Sequence, residues 1–204
     1  MAIAPIKGNL LNLKRSHALA KTGYEMMDRK RNILIREIMS LMDEASELQS
    51  RIDATFSRAY RALQAANITL GMVSEIAGAV PVDDHVQVVY RSVMGVDMPR
   101  VRHTEEKVDR FLYGFVSTNR KLDEAFIAFQ DVKRLTLQLA QTENSIYLLA
   151  AGVKKTQKRA NALNNIIIPG FESDIKRIAA ALEEKEREEF ARLKVIKRDK
   201  TERA

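Results

Sequence analysis

The chain has no cysteine and no tryptophan among its 204 residues. Without thiols it builds no disulfide framework, zinc ribbon, iron–sulfur cluster or cysteine nucleophile, a pattern that suits the cytoplasm. Proline occurs four times and glycine eight times. Those numbers are too low for a turn-rich β-sandwich or a doubly wound sheet of this length. No run of eighteen apolar residues is present, so no segment reads as a bilayer span. The opening MAIAPIKGNLLNLKRSH lacks the apolar stretch of a signal peptide.

Chemical signatures are missing too. No GxxxxGK[ST] loop occurs, so a phosphate cradle of that type is not available. His17, His85 and His103 are far apart, and none sits in the HExxH or ExxH spacing that a metal-binding bundle needs. The run Glu183-Glu184-Lys185-Glu186-Arg187-Glu188-Glu189 could suggest paired catalytic carboxylates. Glu183 and Arg187 stand four apart, however, as on a solvated helix face. The sequence therefore predicts no active site, no metal and no cofactor.

Hydrophobic residues make up 46% of the chain, enough to exclude low-hydrophobicity disorder. Their spacing is informative. Between Leu10 and Val73 there is no proline, and apolar or small residues recur at Leu13, His17, Ala20, Tyr24, Met27, Leu34, Ile38, Leu41, Ala45, Leu48 and Ile52. After a slip near Phe56 they continue at Ala59, Leu63, Ala66, Leu70 and Val73. Alternating steps of three and four make the seam of a left-handed coiled coil. A helix of about 65 residues would be roughly 100 Å long, and such a helix needs a partner along its length.

The C-terminal part supplies one. Leu122, Ala125, Phe129, Val132, Thr136, Leu139, Ile146, Ala150, Val153, Gln157 and Ala160 keep the spacing. Beyond Pro169 the pattern resumes at Phe171, Ile175, Ile178 and Leu182, and ends near Leu193 and Ile196. Pro169 removes one backbone bond and its ring strikes the carbonyl four residues back, so an interruption is expected near Asn165. Residues 76–118 differ: Val86–Val93 is β-branched and aromatic, Met94-Gly95 offers a turn, and Met98–Arg102 can return as a second strand. Thr104-Glu105-Glu106 reads as a helix start, with Phe111 and Phe115 at helical spacing. The expected fold is all-α: a long antiparallel two-stranded coiled coil of N-terminal (1–75) and C-terminal (119–204) helices, kinked near Pro169. A mid-chain tip region (76–118) carries a short β-hairpin within 86–103.

Formal net charge is +7, from 34 Lys+Arg against 27 Asp+Glu, which favours an anionic partner. Lys14, Arg15, Arg29, Lys30 and Arg31 lie on the first helix, and Lys154, Lys155, Lys158 and Arg159 on the second. Ordinary solubilising charge is one reading. A basic surface fitted into a complementary protein cavity is the preferred functional one. A generic coiled-coil scaffold, a nucleic-acid binder or a membrane-surface rod are the alternatives; the low aromatic content of 6% provides no base-stacking platform. Antiparallel pairing also predicts that the N-terminal cations meet Lys194, Lys197, Arg198, Lys200 and Arg203 at one end.

Certain motifs carry a resemblance. Pro5-Ile-Lys-Gly-Asn-Leu10, Leu13-Lys-Arg15, Leu19-Ala20 and Gly23-Tyr24, leading into Arg29-Lys-Arg31, are followed late in the chain by Gln157-Lys-Arg-Ala-Asn161-Ala162-Leu163. Ile166-Ile-Ile-Pro169 and Glu186-Arg187-Glu188-Glu189-Phe190-Ala-Arg192-Leu193-Lys194 complete the order. This resembles the D subunit of V-type and archaeal-type rotary ATPases over essentially the whole chain. Asn32, Asn164 and Met26-Met27-Asp28 depart from the family pattern. The resemblance implies a non-catalytic central-stalk rotor shaft that transmits torque in ATP-coupled proton or sodium transport. It implies partners as well: catalytic and non-catalytic head subunits of A and B type, the F-type stalk subunit, and a C/d-type subunit capping the membrane ring. Membrane association would come only through the complex. The nine central cations (Lys14, Arg15, Arg29, Lys30, Arg31, Lys154, Lys155, Lys158, Arg159) become candidate head contacts. A hairpin that influences ATPase rate would include Val88, Tyr90, Val93, Gly95, Pro99 and Val101.

Overall fold

The structure is a computed structural model, and it describes residues 4–78, 80, 85–103, 113–114 and 118–202. The helix start expected at Thr104–Glu106, with Phe111 and Phe115, lies outside the described residues. Among the described residues the order is α1 (Lys7–Leu70), α2 (Ser74–Gly78), β1 (Val86–Val93), β2 (Val96–His103), α3 (Arg120–Ala162) and α4 (Ile168–Glu202). A π-helical turn, Leu163–Ile167, joins α3 to α4. Among the described residues the fold is all-α apart from its two-stranded hairpin. Two compact units share α1: one comprises Met1–Asn32 with Lys154–Ala204, the other Ile33–Val153.

In the first unit α1 and the C-terminal helices run antiparallel. Lys7 pairs with Glu186 at 2.9 Å, His17 lies 3.2 Å from Glu172, and Arg31 donates to Gln157 at 2.8 Å. Partner numbers fall as α1 numbers rise, which fixes the direction. Leu13, Ala20, Ala160, Ile168 and Ile178 are buried between the helices. Glu186 accepts a hydrogen bond from Lys7 and its charge adds to this, so the Lys7 ammonium pKa is raised above its ordinary value.

The expected seam fails at the end of α4, where Leu193 and Ile196 are 64% and 54% exposed. Lys7, opposite Glu186, is the first residue of α1, so α1 does not reach the later turns of α4. The same register corrects the charge expectation: Lys194, Lys197 and Arg198 lie past that pair and do not meet Lys14 and Arg15. Before Pro169 the helix does not stop. The Ile168 N–H donates to the Leu163 carbonyl five residues back, so the chain widens into a π turn where proline disrupts the regular ladder.

In the second unit successive clusters line the helix pair. Leu34 and Leu149 pack with Ile38, Leu41 and Val153; Leu48 and Ile52 pack on Leu135; Ala59 packs on Ala128 and Val132; Ala66 packs on Leu122. The slip near Phe56 is a packing change: its ring serves two neighbouring clusters and stacks on Tyr60, which meets Phe129 edge-on. On α3 the expected Thr136 and Ala150 are exposed, while Leu135, Thr142, Ser145 and Leu149 are buried. The step after Val132 is three rather than four, because Leu135 has the volume to fill the space against Leu48 and Ile52. The hydroxyls of Thr142 and Ser145 donate to the carbonyls of Gln138 and Gln141, one turn back. Small polar side chains can be buried there because the helix itself satisfies them.

The termini near this unit's end are capped. Gly71 takes φ +79 after Leu70, a left-handed C-cap that glycine adopts without steric cost. Asn119 accepts from the Leu122 N–H at 3.1 Å and donates to Thr69 at 2.7 Å, so the α3 N-cap also ties α3 to α1.

Candidate functional site

Two surfaces contain the candidate residues. The first lies in the unit that combines the start of α1 with the C-terminal helices. Arg31 is not a free contact: it pairs with Asp28 at 2.6 Å and donates to Gln157, clamping α1 to α3. That clamp places Arg29 and Lys30 at the level of Lys154, Lys155, Lys158 and Arg159. All of these are exposed except Lys30, which is half-buried. Among the described residues no carboxylate lies within ion-pair distance of these six. Lys14 and Arg15 are also exposed and unpaired there, but they stand near the His17–Glu172 pair, roughly 20 Å farther along the helix at 1.5 Å per residue. The structure thus makes one basic band from six candidates, assigns Arg31 to internal bracing, and leaves Lys14 and Arg15 separate.

The second surface is the hairpin of the other unit. Its register is Val93↔Val96, Arg91↔Met98, Tyr90↔Pro99 and Val88↔Val101. The turn residues Met94 and Gly95 have φ of 51 and 73, the paired positive values of a type I′ turn, whose twist matches that of the strands. Alternation puts Val93 and Met98 on the face that packs on Leu34 and Leu149. Val88, Tyr90, Pro99 and Val101 share the opposite face. Of the candidate hairpin residues, then, Val93 holds the hairpin down, Gly95 shapes its turn, and the other four form its outward face.

Two docking residues escaped the reading of the sequence. A Cβ added at Gly152 would lie 2.7 Å from Val96 Cγ2 and 3.8 Å from Leu34 Cδ1, so only glycine lets β2 approach α3 this closely. Gln141 accepts a hydrogen bond from the Val101 N–H at 2.7 Å. The signal for Gly152 was its position inside a helical pattern, where glycine costs about 1 kcal/mol relative to alanine. Beside Gln141 an open cleft of about 480 Å³ is lined by Glu44, Glu47, Arg51, Arg100 and Gln138 among others; its charges are mixed.

Among the described residues no group of three His, Asp or Glu side chains could hold a metal ion. No described helix is long and apolar enough to cross a membrane.

The family of ATP synthase D subunits matches residues 9–198. The chain belongs to the ATP synthase D-subunit family. It is 43% identical to the V-type ATP synthase D subunit of Thermotoga neapolitana, over 97% of this chain and 98% of that one. It is 37% identical to the A-type ATP synthase D subunit of Thermococcus kodakarensis, over 96% and 93%, and 35% identical to that of Methanopyrus kandleri, over 96% and 85%. Both kinds of relative align over nearly the whole chain, so both described surfaces lie within the family's span. As a member of the D-subunit family the chain is a component of a multi-subunit V/A-type ATPase.

Proposed function

We propose that this protein is the central rotor shaft of its ATPase, turning inside the head and carrying torque to the membrane ring without catalysing a reaction. The observation that carries the reading is the antiparallel pairing of α1 with the C-terminal helices in a chain of the D-subunit family. A knobs-into-holes seam resists bending and twisting because each buried side chain is held by four neighbours. Each unit is also asymmetric in itself: the first carries the basic band, and the second carries the hairpin on its helix pair. Different angles of such a shaft present different faces to chemically equivalent surrounding sites.

The exposed cations suit a contact that must slide. Ion pairs at a wetted surface are individually weak, at about 0–1 kcal/mol, so they bias an angle without locking it. In this reading the A- and B-type head subunits contact the basic band, while the F-type stalk subunit and the C/d-type cap bind elsewhere on the chain. The complex would be cytoplasmic and peripheral to the membrane, and would serve proton or sodium transport. The hairpin, through Val88, Tyr90, Pro99 and Val101, would adjust ATPase rate.

Reconstitution tests this. Head subunits expressed with the chain are expected to give a stoichiometric complex whose coupled ATPase requires it. A head that hydrolyses ATP and couples equally well without the chain would refute the reading. So would salt-sensitive binding of the isolated chain to DNA or liposomes in place of the head.

A further inference from the structure

The two edges of the hairpin are treated differently. On β2 the Val101 N–H points away from β1, because it donates to Gln141 on α3. In an antiparallel ladder, residues directly opposite share the same orientation. Val88, opposite Val101, therefore also turns its N–H and C=O outward, and so do Tyr90 and Ser92 by period-two alternation. Pro99, opposite Tyr90, agrees with this assignment: it stands where no ladder N–H is required. The outer edge of β2 is thus protected by a proline and a helix side chain. Along the outer edge of β1, among the described residues, nothing bonds to the backbone of Val88, Tyr90 or Ser92.

That edge has the form of a pairing template. β1 is eight residues long, VQVVYRSV, with no proline and no lysine, the residues that usually blunt an exposed edge. Val88 is 52% and Tyr90 71% exposed, giving the edge an apolar outer face. Arg91 on β1 and Arg102 on β2 are exposed beside it, with Asp97 as the hairpin's acid, while Arg100 lines the mixed-charge cleft with Glu44 and Glu47 on the β2 side. A second copy of the chain would bring like charges together across such a pairing. The matching occupant is a strand with apolar residues on one face and carboxylates on the other.

We propose that the outer edge of β1 is a docking site for an extended, acidic segment of another subunit of the complex, which adds to the hairpin as a third strand. Main-chain bonds to Val88, Tyr90 and Ser92 supply the attachment, and Val88 with Tyr90 reads the apolar side chains of the added strand. The proposal rests on the chain working within the ATPase complex, and it names a contact that the shaft reading does not require.

Amide hydrogen exchange resolved by residue tests it, in the isolated chain and in the complex reconstituted from subunits of the same source. In the isolated chain Val88, Tyr90 and Ser92 are expected to exchange quickly while Val89 and Arg91 stay protected by the β1–β2 ladder. Assembly should slow the three outward amides by about tenfold or more, since exchange then requires opening of the added pairing. Val88→Pro and Ser92→Pro each delete an outward N–H without touching the ladder; each should reduce the protection at Tyr90 in the complex, with Val89 and Arg91 unchanged. A coupled, active complex whose outward amides exchange as fast as in the free chain overturns the edge proposal and leaves the shaft reading intact. Failure of the chain to join any complex overturns the shaft reading and this proposal with it. Protection that appears in the isolated chain as it dimerises overturns the heterologous partner in favour of self-pairing.

Discussion

Gly152 controls how closely the hairpin lies against α3. An alanine there would gain about 1 kcal/mol of helix propensity, yet its Cβ would press on Val96, a branched side chain with little room to withdraw. Overpacking of this kind costs about 1–3 kcal/mol. Gly152→Ala is therefore expected to leave helicity unchanged by circular dichroism while exchange at the Val101 amide speeds up. Met94 shows the opposite case, a non-glycine residue at φ 51. Asparagine tolerates that conformation better, so Met94→Asn should stabilise the hairpin by up to about 1 kcal/mol, seen as slower exchange at Val93 and Val96. Tyr113 is buried and its hydroxyl donates to Asp123 at 2.6 Å. Burial first, then that bond and the carboxylate's charge, push its pKa well above the phenol's ordinary 10.0. A folded-state pKa raised above the unfolded value means stability fully present below about pH 10 and lost as pH rises beyond it. Melting curves at pH 9 and pH 11 should show that alkaline loss in the native chain and a smaller one in Tyr113→Phe, which is less stable at neutral pH by about 1.5–3 kcal/mol.

At the scale of the elements, burial separates two leucines on the C-terminal helices. Leu149 is fully buried against Leu34, whereas Leu193 is 64% exposed on the last turns of α4. Leu149→Ala is expected to cost about 2–5 kcal/mol from lost burial and the cavity it leaves. Leu193→Ser should change stability by less than about 0.5 kcal/mol, and urea denaturation of the two variants checks the contrast. The heptad spacing showed which face of α1 is buried, from Leu13 through Ala66, because long steps of three and four leave only one stripe to cover. It misplaced α3 between Leu135 and Leu149. There the buried stripe includes Thr142 and Ser145, residues that carry little hydrophobic signal. The π turn had a sequence cue in Pro169, but proline states only that one hydrogen bond is missing, not how the helix accommodates the loss.

For the whole molecule the prediction concerns charge. Arg29, Lys30, Lys158 and Arg159 form the basic band with Lys154 and Lys155, while Arg31 is occupied within the fold. If each of these four cations contributes about 0.5 kcal/mol to a head contact, the quadruple change Arg29→Gln, Lys30→Gln, Lys158→Gln and Arg159→Gln should weaken association with the head by roughly thirtyfold. Helicity should not change. Raising salt to 1 M shrinks the screening length to about 3 Å and should weaken the native complex similarly. Binding isotherms at two ionic strengths decide it; salt-independent affinity in both proteins would remove the electrostatic account.

The sequence alone determined the helical class, the antiparallel partnership of the two ends and the family. These depend on periodicity and on motif order, both of which are written along the chain. Tertiary structure decided which cations remain available, because Arg31 meets Gln157 from a segment 126 residues away. It also decided which face of the hairpin looks outward and which edge stays open. Those outcomes depend on Gly152 and Gln141 meeting β2, and no local pattern in either segment encodes a distance to the other.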